Sequence, residues 1–582
     1  MRIASLDKER CQPKMCGYRC CKYCPRVRMG DETITIGEDK KPIISEELCI
    51  GCGICVNKCP FNALKIINLP EALKSELVHQ FGPNAFRLYR LPLPQKGRVI
   101  GLLGKNGIGK TTALKILSGE MKPNLGNYET PPDWKQVLLH YKGTELYNYL
   151  KLLTEHKIKP SFKNQYITEL ESEKKVKDLL EQGSKRFDEF VKKLEIEAIL
   201  DKPLNELSGG DLQRVAIAKT LMKEASIYLF DEPSSYLDIY QRLKIAKVIR
   251  GFAKEAPVVV VEHDLAVLDF LADQIHLIYG SAGAYGIITN LYPQRHAINT
   301  YLSGWLKEEN VRFAEPFKFI IHPSAVRSYN KPLINYSTFA KAYDGFRLEV
   351  KGSTIHQGEV VGVLGPNAIG KTTFVKTLAG IIEPTEGKIE LKAKVSYKPQ
   401  YLKKTSKTSQ HTVGELISSF QSEVLSSEIL HRLNIDPLME RSLSELSGGE
   451  LQTIAIALCL LREADIYMLD EPSSYLDSSQ RLQVAKSITW TMEKRSKAAL
   501  VVDHDVYFID MIADSLMVFS GEPSKYGIGE GPFDMRRGMN MFLKEVRVTF
   551  RRDQETHRPR VNKPDSRLDR EQRECGEYYY PR

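Results

Sequence analysis

A chain of 582 residues that is 42% apolar and carries a formal net charge of +10 has room for several ordinary cores, roughly four domains at about 150 residues each. No run approaches the roughly 18 uncharged apolar residues of a membrane span, and the start, MRIASLDKERC, lacks the apolar centre of a secretory signal. These features argue against a membrane or secreted protein, and a cytoplasmic location is expected. The charge excess alone is weak support for nucleic-acid binding. Its clustering says more: Lys8, Arg10, Lys14, Arg19, Lys22, Arg26 and Arg28 crowd the beginning, and Arg547, Arg551, Arg552, Arg558, Arg560 and Lys563 the end.

Nine of the eleven cysteines lie between Cys11 and Cys59. In a reducing compartment such crowding favours metal ligation over disulfides. Cys49, Cys52, Cys55 and Cys59, with Pro60, read C-x2-C-x2-C-x3-C-P, the spacing with which bacterial ferredoxins hold a [4Fe-4S] cluster. Tetrahedral zinc is the rival, because C-x2-C pairs suit it too, but zinc gives no reason for the C-x3-C-P ending. Cys459, in the apolar run IAIALCLL, reads as a buried structural thiol.

Further along, the apolar run VIGLLGKNGIGKTTALKIL predicts a strand, a glycine loop and a helix, the context a phosphate-binding loop requires. In it Gly104, Asn106, Gly107 and Gly109 let backbone N–H groups face phosphate oxygens, Lys110 adds a point charge, and Thr111, followed by Thr112, is placed to hold Mg²⁺. The strand IYLFDE brings Asp231 to Mg²⁺ and Glu232 to the attacking water as base, and VVEHD brings His263 to the γ-phosphate.

The whole arrangement then returns in the same order. Gly365, Asn367, Gly370, Lys371, Thr372 and Thr373 repeat the loop, DEPSSYLD recurs verbatim with Asp470 and Glu471, and VVDHD supplies His504. Two homologous α/β domains in tandem are predicted, their continuous apolar strands suited to a parallel sheet covered on both faces.

The segments LSGGDLQ and LSGGELQ contribute Ser208, Gly209 and Gly210, and Ser447, Gly448 and Gly449. They resemble the signature of ATP-binding cassette (ABC) ATPases, in which Ser and Gly amides at a helix N-terminus face a γ-phosphate. That resemblance implies a head-to-tail sandwich. Lys110 and its loop would bind one ATP against Ser447, Gly448 and Gly449, and Lys371 the other against Ser208, Gly209 and Gly210, with closure on ATP and reopening on hydrolysis. Gln165 and Gln400 resemble the glutamine loops that sense Mg²⁺ and the water.

Taken with CQPKMCGYRCCKYCP, LCIGCGICVNKCPFNAL, PPDWKQVLLHYKGTELYNYL and VTFRRDQETHRPRVNK, the chain resembles the ABC subfamily E ribosome-recycling ATPases, also called the RNase L inhibitor family. The resemblance implies a small ferredoxin-like (α+β) domain over residues 1–70, ABC-type phosphate-loop domains over 71–310 and 311–545, and a basic hinge or tail over 546–582. It further implies two [4Fe-4S] clusters, one held by Cys11, Cys16, Cys20 and Cys59, the other by Cys49, Cys52, Cys55 and Cys24. The family's helix-loop-helix against the small ribosomal subunit would fall at about 130–158. There Trp134, Tyr141, Tyr147 and Tyr149 are either local core or RNA contacts. Gln241, Arg242 and Leu243, like Gln480, Arg481 and Leu482, resemble hinge elements, and the tail arginines suit interface carboxylates as well as rRNA phosphates.

On this resemblance the chain is an ATP-driven factor that splits ribosomes after termination or rescue and stays on the small subunit towards initiation. Its implied partners are rRNA, a peptide release factor or its rescue paralogue, and initiation factors. A monomer is expected, because fused cassettes satisfy each other. Two other readings are an ATP-gated iron–sulfur redox protein, for which there is no flavin or nicotinamide fingerprint, and a transporter ATPase subunit. Some positions depart from the family pattern. Thr453, Asp503 and Asp211 replace more usual residues and could make the two ATP sites turn over unequally, while Thr33 replaces a cysteine and Cys21 is extra.

Overall fold

The computed structural model describes residues 2–165, 172–180, 186–317, 319, 331–389, 393–400, 411–418 and 424–579. They group into two units: Met1–Tyr236 with Ile245–His263 and Leu271–Ala314, and Leu237–Lys244 with Asp264–Phe270 and Glu315–Arg582. Among the described residues no helix is long and apolar enough to cross a membrane.

The first unit opens with β1 (Arg2–Leu6) paired antiparallel to β2 (Leu64–Asn68). Short helical turns at Pro13–Cys16, Arg19–Lys22, Pro25–Arg28 and Ile54–Lys58 carry Cys16, Cys20, Cys21 and Cys55. So small a domain has little apolar mass: Ala4, Leu6, Ile34, Ile44, Ala63 and Leu64 form its core together with the buried Cys20, Cys24, Cys49 and Cys55.

An eight-stranded sheet follows, built from β3 (Leu77–Gln80), β4 (Arg87–Tyr89), β5 (Val99–Leu103), β6 (Pro160–Lys163), β7 (Ile227–Asp231), β8 (Val258–Val261), β9 (Gln274–Ser281) and β10 (Tyr285–Pro293) in the order β3-β4-β10-β9-β5-β8-β7-β6. Strands β9, β5, β8, β7 and β6 are mutually parallel. The all-valine β8 and the run of β7 are buried throughout, as parallel strands flanked on both faces must be. Antiparallel pairs β3–β4 and β9–β10 extend the sheet at the other edge. Helix α1 (Lys110–Leu117) leaves β5 through Gly109, whose φ of 93° and distance of 2.8 Å from an added Cβ to the Phe86 ring both demand glycine.

Between α1 and β6 come α2 (Trp134–His140), capped by Asp133 and Gln136, and α3 (Glu145–Thr154). Val137 and Leu150 are fully buried in the core beneath, Tyr141 is buried, and Trp134, Tyr147 and Tyr149 are half-buried against the same cluster. The Tyr149 hydroxyl donates to the Leu117 carbonyl at 2.6 Å. These aromatics are therefore local core, with the exposed surface of the pair left to Leu139 and its polar neighbours. Helix α4 (Gly209–Met222) completes the elements of this unit used below, while α5 (Leu265–Leu271), after β8, falls almost wholly within the second unit.

The second unit repeats the plan with β11 (Phe339–Tyr343), β12 (Phe346–Val350), β13 (Val360–Leu364), β14 (Val395–Lys398), β15 (Ile466–Asp470), β16 (Ala498–Val502), β17 (Ser515–Glu522) and β18 (Tyr526–Asp534) in the equivalent order β11-β12-β18-β17-β13-β16-β15-β14. Its helices include α6 (Lys371–Leu378), α7 (Gly448–Leu461), α8 (Ser478–Arg495) and α9 (Val506–Ile512). The tail adds the hairpin β19 (Phe550–Arg552) and β20 (Pro559–Val561) and helix α10 (Arg567–Cys575).

Inside this unit the tail arginines meet carboxylates. Arg552 grips both oxygens of Asp510 at 2.8 and 3.0 Å, while Arg560 grips both oxygens of Asp269 at 3.0 and 3.2 Å with Arg558 alongside. Asp269 and Asp510 hold equivalent positions in the repeat, six residues after His263 and His504. Arg242 and Arg481 form a matching pair, bonded to Asp264 at 2.7 Å and Asp505 at 2.8 Å.

Candidate functional site

Each glycine loop connects the end of a buried strand to a helix N-terminus. The Lys110 ammonium is buried and donates to the Gly104 carbonyl at 2.9 Å and the Lys105 carbonyl at 2.6 Å, and Lys371 donates to the Gly365 carbonyl at 2.9 Å and to that of Pro366. Burial pushes Lys371 down to about 8. Asn106 and Gly107 form the tip of the first loop, and Thr111 and Thr112, like Thr372 and Thr373, begin the helices. Ala368 adopts the left-handed φ of 56° that Gly107 adopts at 70°, a cost of about 1–2 kcal/mol for a residue with a Cβ. Within the second unit the Asn367 N–H donates to Asp238, the last residue of DEPSSYLD, at 3.0 Å.

The Thr111 hydroxyl donates to the Asp231 carboxylate at 2.6 Å, and burial raises Asp231 to about 6. In the second unit both Asp470 carboxylate oxygens are buried without a hydrogen-bond partner. A buried carboxylate is costly unless hydrogen-bonded, paired or bound to a cation, so this orphaned pair suits a divalent ion beside Thr372.

Glu232 and Glu471 share a left-handed backbone, φ 47° in each, and nearly identical surroundings. Glu232 accepts from the Gln165 amide at 2.8 Å and the Ser235 hydroxyl at 3.1 Å, with His263 Nε2 at 3.4 Å. Glu471 accepts from Gln400 at 2.7 Å and Ser474 at 3.1 Å, with His504 Nε2 at 3.3 Å. Burial works against their ionisation, but the adjacent histidines and the other donors outweigh it and bring both carboxyls down to about 2. These glutamates are held ionised, with a glutamine and a histidine spanning the same oxygen.

Ser208 and Ser447 cap α4 and α7, accepting from the N–H groups of Asp211 and Glu450, and Gly209, Gly210, Gly448 and Gly449 make the first turns. Where Arg214 bonds the Leu194 and Glu195 carbonyls and pairs with Asp211, Thr453 instead bonds back to the Gly449 carbonyl at 2.9 Å. Arg441, from the preceding loop, takes over the acidic residue, reaching Glu450 at 2.8 Å. Asp503, one methylene shorter than Glu262, still accepts from the Ser473 N–H at 2.9 Å, as Glu262 does from that of Ser234 at 3.3 Å.

In the first domain Cys11, Cys16, Cys20 and Cys59 line one cavity with Pro42, Phe61 and Leu64. Burial, with the neighbouring thiols Cys20 and Cys59, pushes Cys11 up to about 11. Burial, with Cys49, Cys52 and more weakly Cys24, pushes Cys55 up to about 12. Four cysteine sulfurs around one cavity are the donor set that an iron–sulfur group takes. Among the described residues no three His, Cys, Asp or Glu side chains converge as a ready-made single-ion site.

Residue types and spacing alone left several contributors unnoticed. Gln213 and Gln452, the glutamines of LSGGDLQ and LSGGELQ, donate to the Glu232 and Glu471 carbonyls at 2.8 and 2.7 Å. Lys163 and Lys398 bond the same peptides from beneath. Phe86 and Phe346 pack on Gly109 and Gly370. The available signal was recurrence: K-N-Q and K-P-Q place a lysine two residues before each loop glutamine.

The family models match accordingly: ABC transporter over 94–235 and 350–474, 4Fe-4S binding domain over 42–65, and possible Fer4-like domain in RNase L inhibitor over 1–32. Over all of this chain and 98% of theirs, the sequence is 51% identical to an uncharacterized ABC transporter ATP-binding protein of Methanocaldococcus jannaschii and 41% identical to translation initiation factor RLI1 of Saccharomyces cerevisiae. The fold matches a chain of the ribosome-bound archaeal Pelota and ABCE1 structure at TM-score 0.93 and 51% identity, covering 100% of this chain and 99% of that one. It matches a chain of the complex of archaeal ribosomal stalk protein aP1 with the ribosome recycling factor aABCE1 at TM-score 0.83 and 50% identity, covering 88% and 100%.

Twin phosphate-loop cassettes, each with an LSGG helix and an Asp-Glu pair whose aspartate is buried, behind a cysteine-rich domain define an iron–sulfur ATPase of the ABC class. The chain hydrolyses ATP and binds an iron–sulfur cluster. It belongs to the ABCE1 or RNase L inhibitor family.

Proposed function

We propose that this protein is an ATP-driven ribosome-recycling factor of the cytoplasm. It would act as a monomer, bind a terminated or rescued ribosome beside a release factor or its rescue paralogue, split the subunits, and remain on the small subunit and its rRNA until initiation factors arrive. The domain division is 1–70, 71–310, 311–545 and 546–582, with the helical insertion leaning on the small subunit.

One observation carries the mechanical part. In the first unit the cysteine domain is bolted to the turn that supports the first phosphate loop: Lys65 donates to the Ala282 carbonyl at 2.7 Å, Ser5 to the Gly283 carbonyl at 3.3 Å, and the Gly283 N–H to the Gly107 carbonyl at 2.9 Å. Asn84, almost wholly buried, bonds Ala4 and Ile44, and Arg87 pairs with Glu46 at 2.7 Å. A loop that shifts as it wraps phosphate would therefore displace the domain as a body.

At each site the loop amides (Gly104, Asn106, Gly107, Gly109, Lys110, Thr111, Thr112; Gly365, Asn367, Gly370, Lys371, Thr372, Thr373) take the phosphates of one ATP. The opposite signature completes the sandwich, Ser447, Gly448 and Gly449 for the first, Ser208, Gly209 and Gly210 for the second. Thr111, Gln165 and Asp231, and Thr372, Gln400 and Asp470, would hold Mg²⁺, which neutralises phosphate charge when bound. Glu232 and Glu471 take the proton of the attacking water, and His263 and His504 meet the γ-phosphate and orient the carboxylate. Two [4Fe-4S] clusters are assigned, to Cys11, Cys16, Cys20 and Cys59, and to Cys24, Cys49, Cys52 and Cys55. Their shared neighbourhoods support this crossed pattern.

The test is co-sedimentation of the iron-loaded protein with ribosomal subunits, with and without a non-hydrolysable ATP analogue, at two salt concentrations, alongside Glu232→Gln/Glu471→Gln. Nucleotide-dependent retention on the small subunit is expected, prolonged in the variant. Protein that stays in the supernatant with clusters intact and nucleotide bound would overturn the reading.

A further inference from the structure

Beneath each of the two glutamates assigned as bases lies a lysine whose ammonium is turned toward main-chain carbonyls. Lys163, at the end of β6 and 3% exposed, donates to the Asp231 carbonyl at 2.9 Å and the Glu232 carbonyl at 3.3 Å. Lys398, at the end of β14 and 1% exposed, donates to the Asp470 carbonyl at 2.8 Å and the Glu471 carbonyl at 3.2 Å. A buried ammonium is expensive and persists where its donors are used. Here the same expense is met twice, at equivalent positions, for the same two peptides.

Those peptides are where the chain leaves its strand and turns left-handed, with φ 47° at both glutamates. Gln213 or Gln452 pulls the same glutamate carbonyl from the signature helix at 2.8 or 2.7 Å. Two residues beyond each lysine, Gln165 or Gln400 holds the carboxylate itself. Backbone and side chain of the base are thus fixed from one short segment, Lys-x-Gln.

We propose that Lys163 and Lys398 are positioning residues for hydrolysis: each anchors the carbonyls of the Asp-Glu peptide so that the glutamate keeps the left-handed conformation that aims its carboxylate at the γ-phosphate water. This rests on the assignment of Glu232 and Glu471 as bases.

The experiment uses the full-length, iron-loaded protein with Lys163→Met/Lys398→Met, Lys→Gln and Lys→Arg at both positions, and Glu232→Gln/Glu471→Gln in parallel. Steady-state kcat and KM are measured together with the Kd of a fluorescent ATP analogue with Mg²⁺. The Met variant should lose about 10- to 100-fold in kcat, as expected when a reacting group is misaimed, with Kd unchanged within about twofold. Gln, which can still bond carbonyls, should fall between Met and wild type, and Arg should restore part of the loss. Turnover within threefold of wild type in the Met variant, or kcat and affinity falling together without recovery by Arg, would overturn the proposal. If the Met variant does not fold, as judged by iron content and melting, the Gln and Arg variants decide by the same criteria. Retained turnover in the Glu→Gln variant would mean that the base assignment has failed, and the proposal with it. Loss there with normal turnover in the lysine variants would sink the lysine role alone.

Discussion

Replacing Asp269 by alanine should loosen the tail specifically. The carboxylate is fully buried and faces two guanidiniums: Arg560 at 3.0 and 3.2 Å, and the equally buried Arg558 at 3.3 Å. Removing one partner of a buried pair costs about 3–5 kcal/mol, because the partner's charge stays behind. Arg558 would keep the Tyr507 hydroxyl at 3.1 Å, and Arg560 the Asp553 carboxylate at 3.6 Å, so about 4 kcal/mol is reasonable rather than twice that. Since a chain of several domains does not unfold as one step, the readout is amide hydrogen exchange of Phe550–Val561. A loss of about 4 kcal/mol corresponds to roughly 1000-fold faster exchange in that hairpin. An acceleration below tenfold would refute the claim that Asp269 holds the tail. The pair also fixes a pH response. The arginines outweigh burial and hold Asp269 below its ordinary value, so its contribution is fully present above the unfolded carboxylate pKa of about 3.9 and is lost as pH falls through the depressed native value. Asp269→Asn should remove that part of the acid-induced loosening, seen as a flatter dependence of exchange between about pH 5 and pH 3.

Crossed cluster ligation predicts an iron stoichiometry. Cys59→Ser and Cys24→Ser should each drop iron from about eight to about four per chain, Cys59→Ser/Cys16→Ser should lose no more than Cys59→Ser alone, and Cys24→Ser/Cys16→Ser should lose nearly all; uncrossed ligation would invert the two double variants. Arg441→Ala, which removes the guanidinium from Glu450 and the Glu445 carbonyl, should destabilise the second unit by about 1–2 kcal/mol, visible as a lowered calorimetric transition, and a shift below half a degree would contradict its replacement of the missing arginine. Asn84→Ala removes three buried hydrogen bonds to Ala4 and Ile44 and should speed proteolysis after the cysteine domain while leaving ATP affinity within about twofold; unchanged cleavage would show the anchor to be dispensable.

How much could be read in advance depended on whether a group's partners are local. Glycine loops, LSGG helices and Asp-Glu strand ends bind through their own backbone at short range, so the repeat GKNGIGKTT and GPNAIGKTT, LSGG and DEPSSYLD announced both cassettes, and with them the alternation of buried strands and helices. The cysteine spacing likewise marked an iron–sulfur domain. Trp134, Tyr141, Tyr147 and Tyr149 stayed ambiguous because an aromatic is equally suited to a core and to a base, and packing on the sheet beneath resolved them as core. The tail arginines were ambiguous for the same reason of chemistry, since a guanidinium fits carboxylate and phosphate alike. Arg558 and Asp269 meet across 289 residues of sequence, a pairing no local pattern encodes. Lys163 and Lys398 were invisible because their partners are main-chain carbonyls, which every residue possesses, and Arg441 because it substitutes in space for an arginine missing at Thr453. Sequence by itself determined the chemistry that the backbone performs locally. Tertiary structure alone decided which buried charges are paired and what holds each catalytic group in place, because burial and distance, not residue type, set the value of a charge.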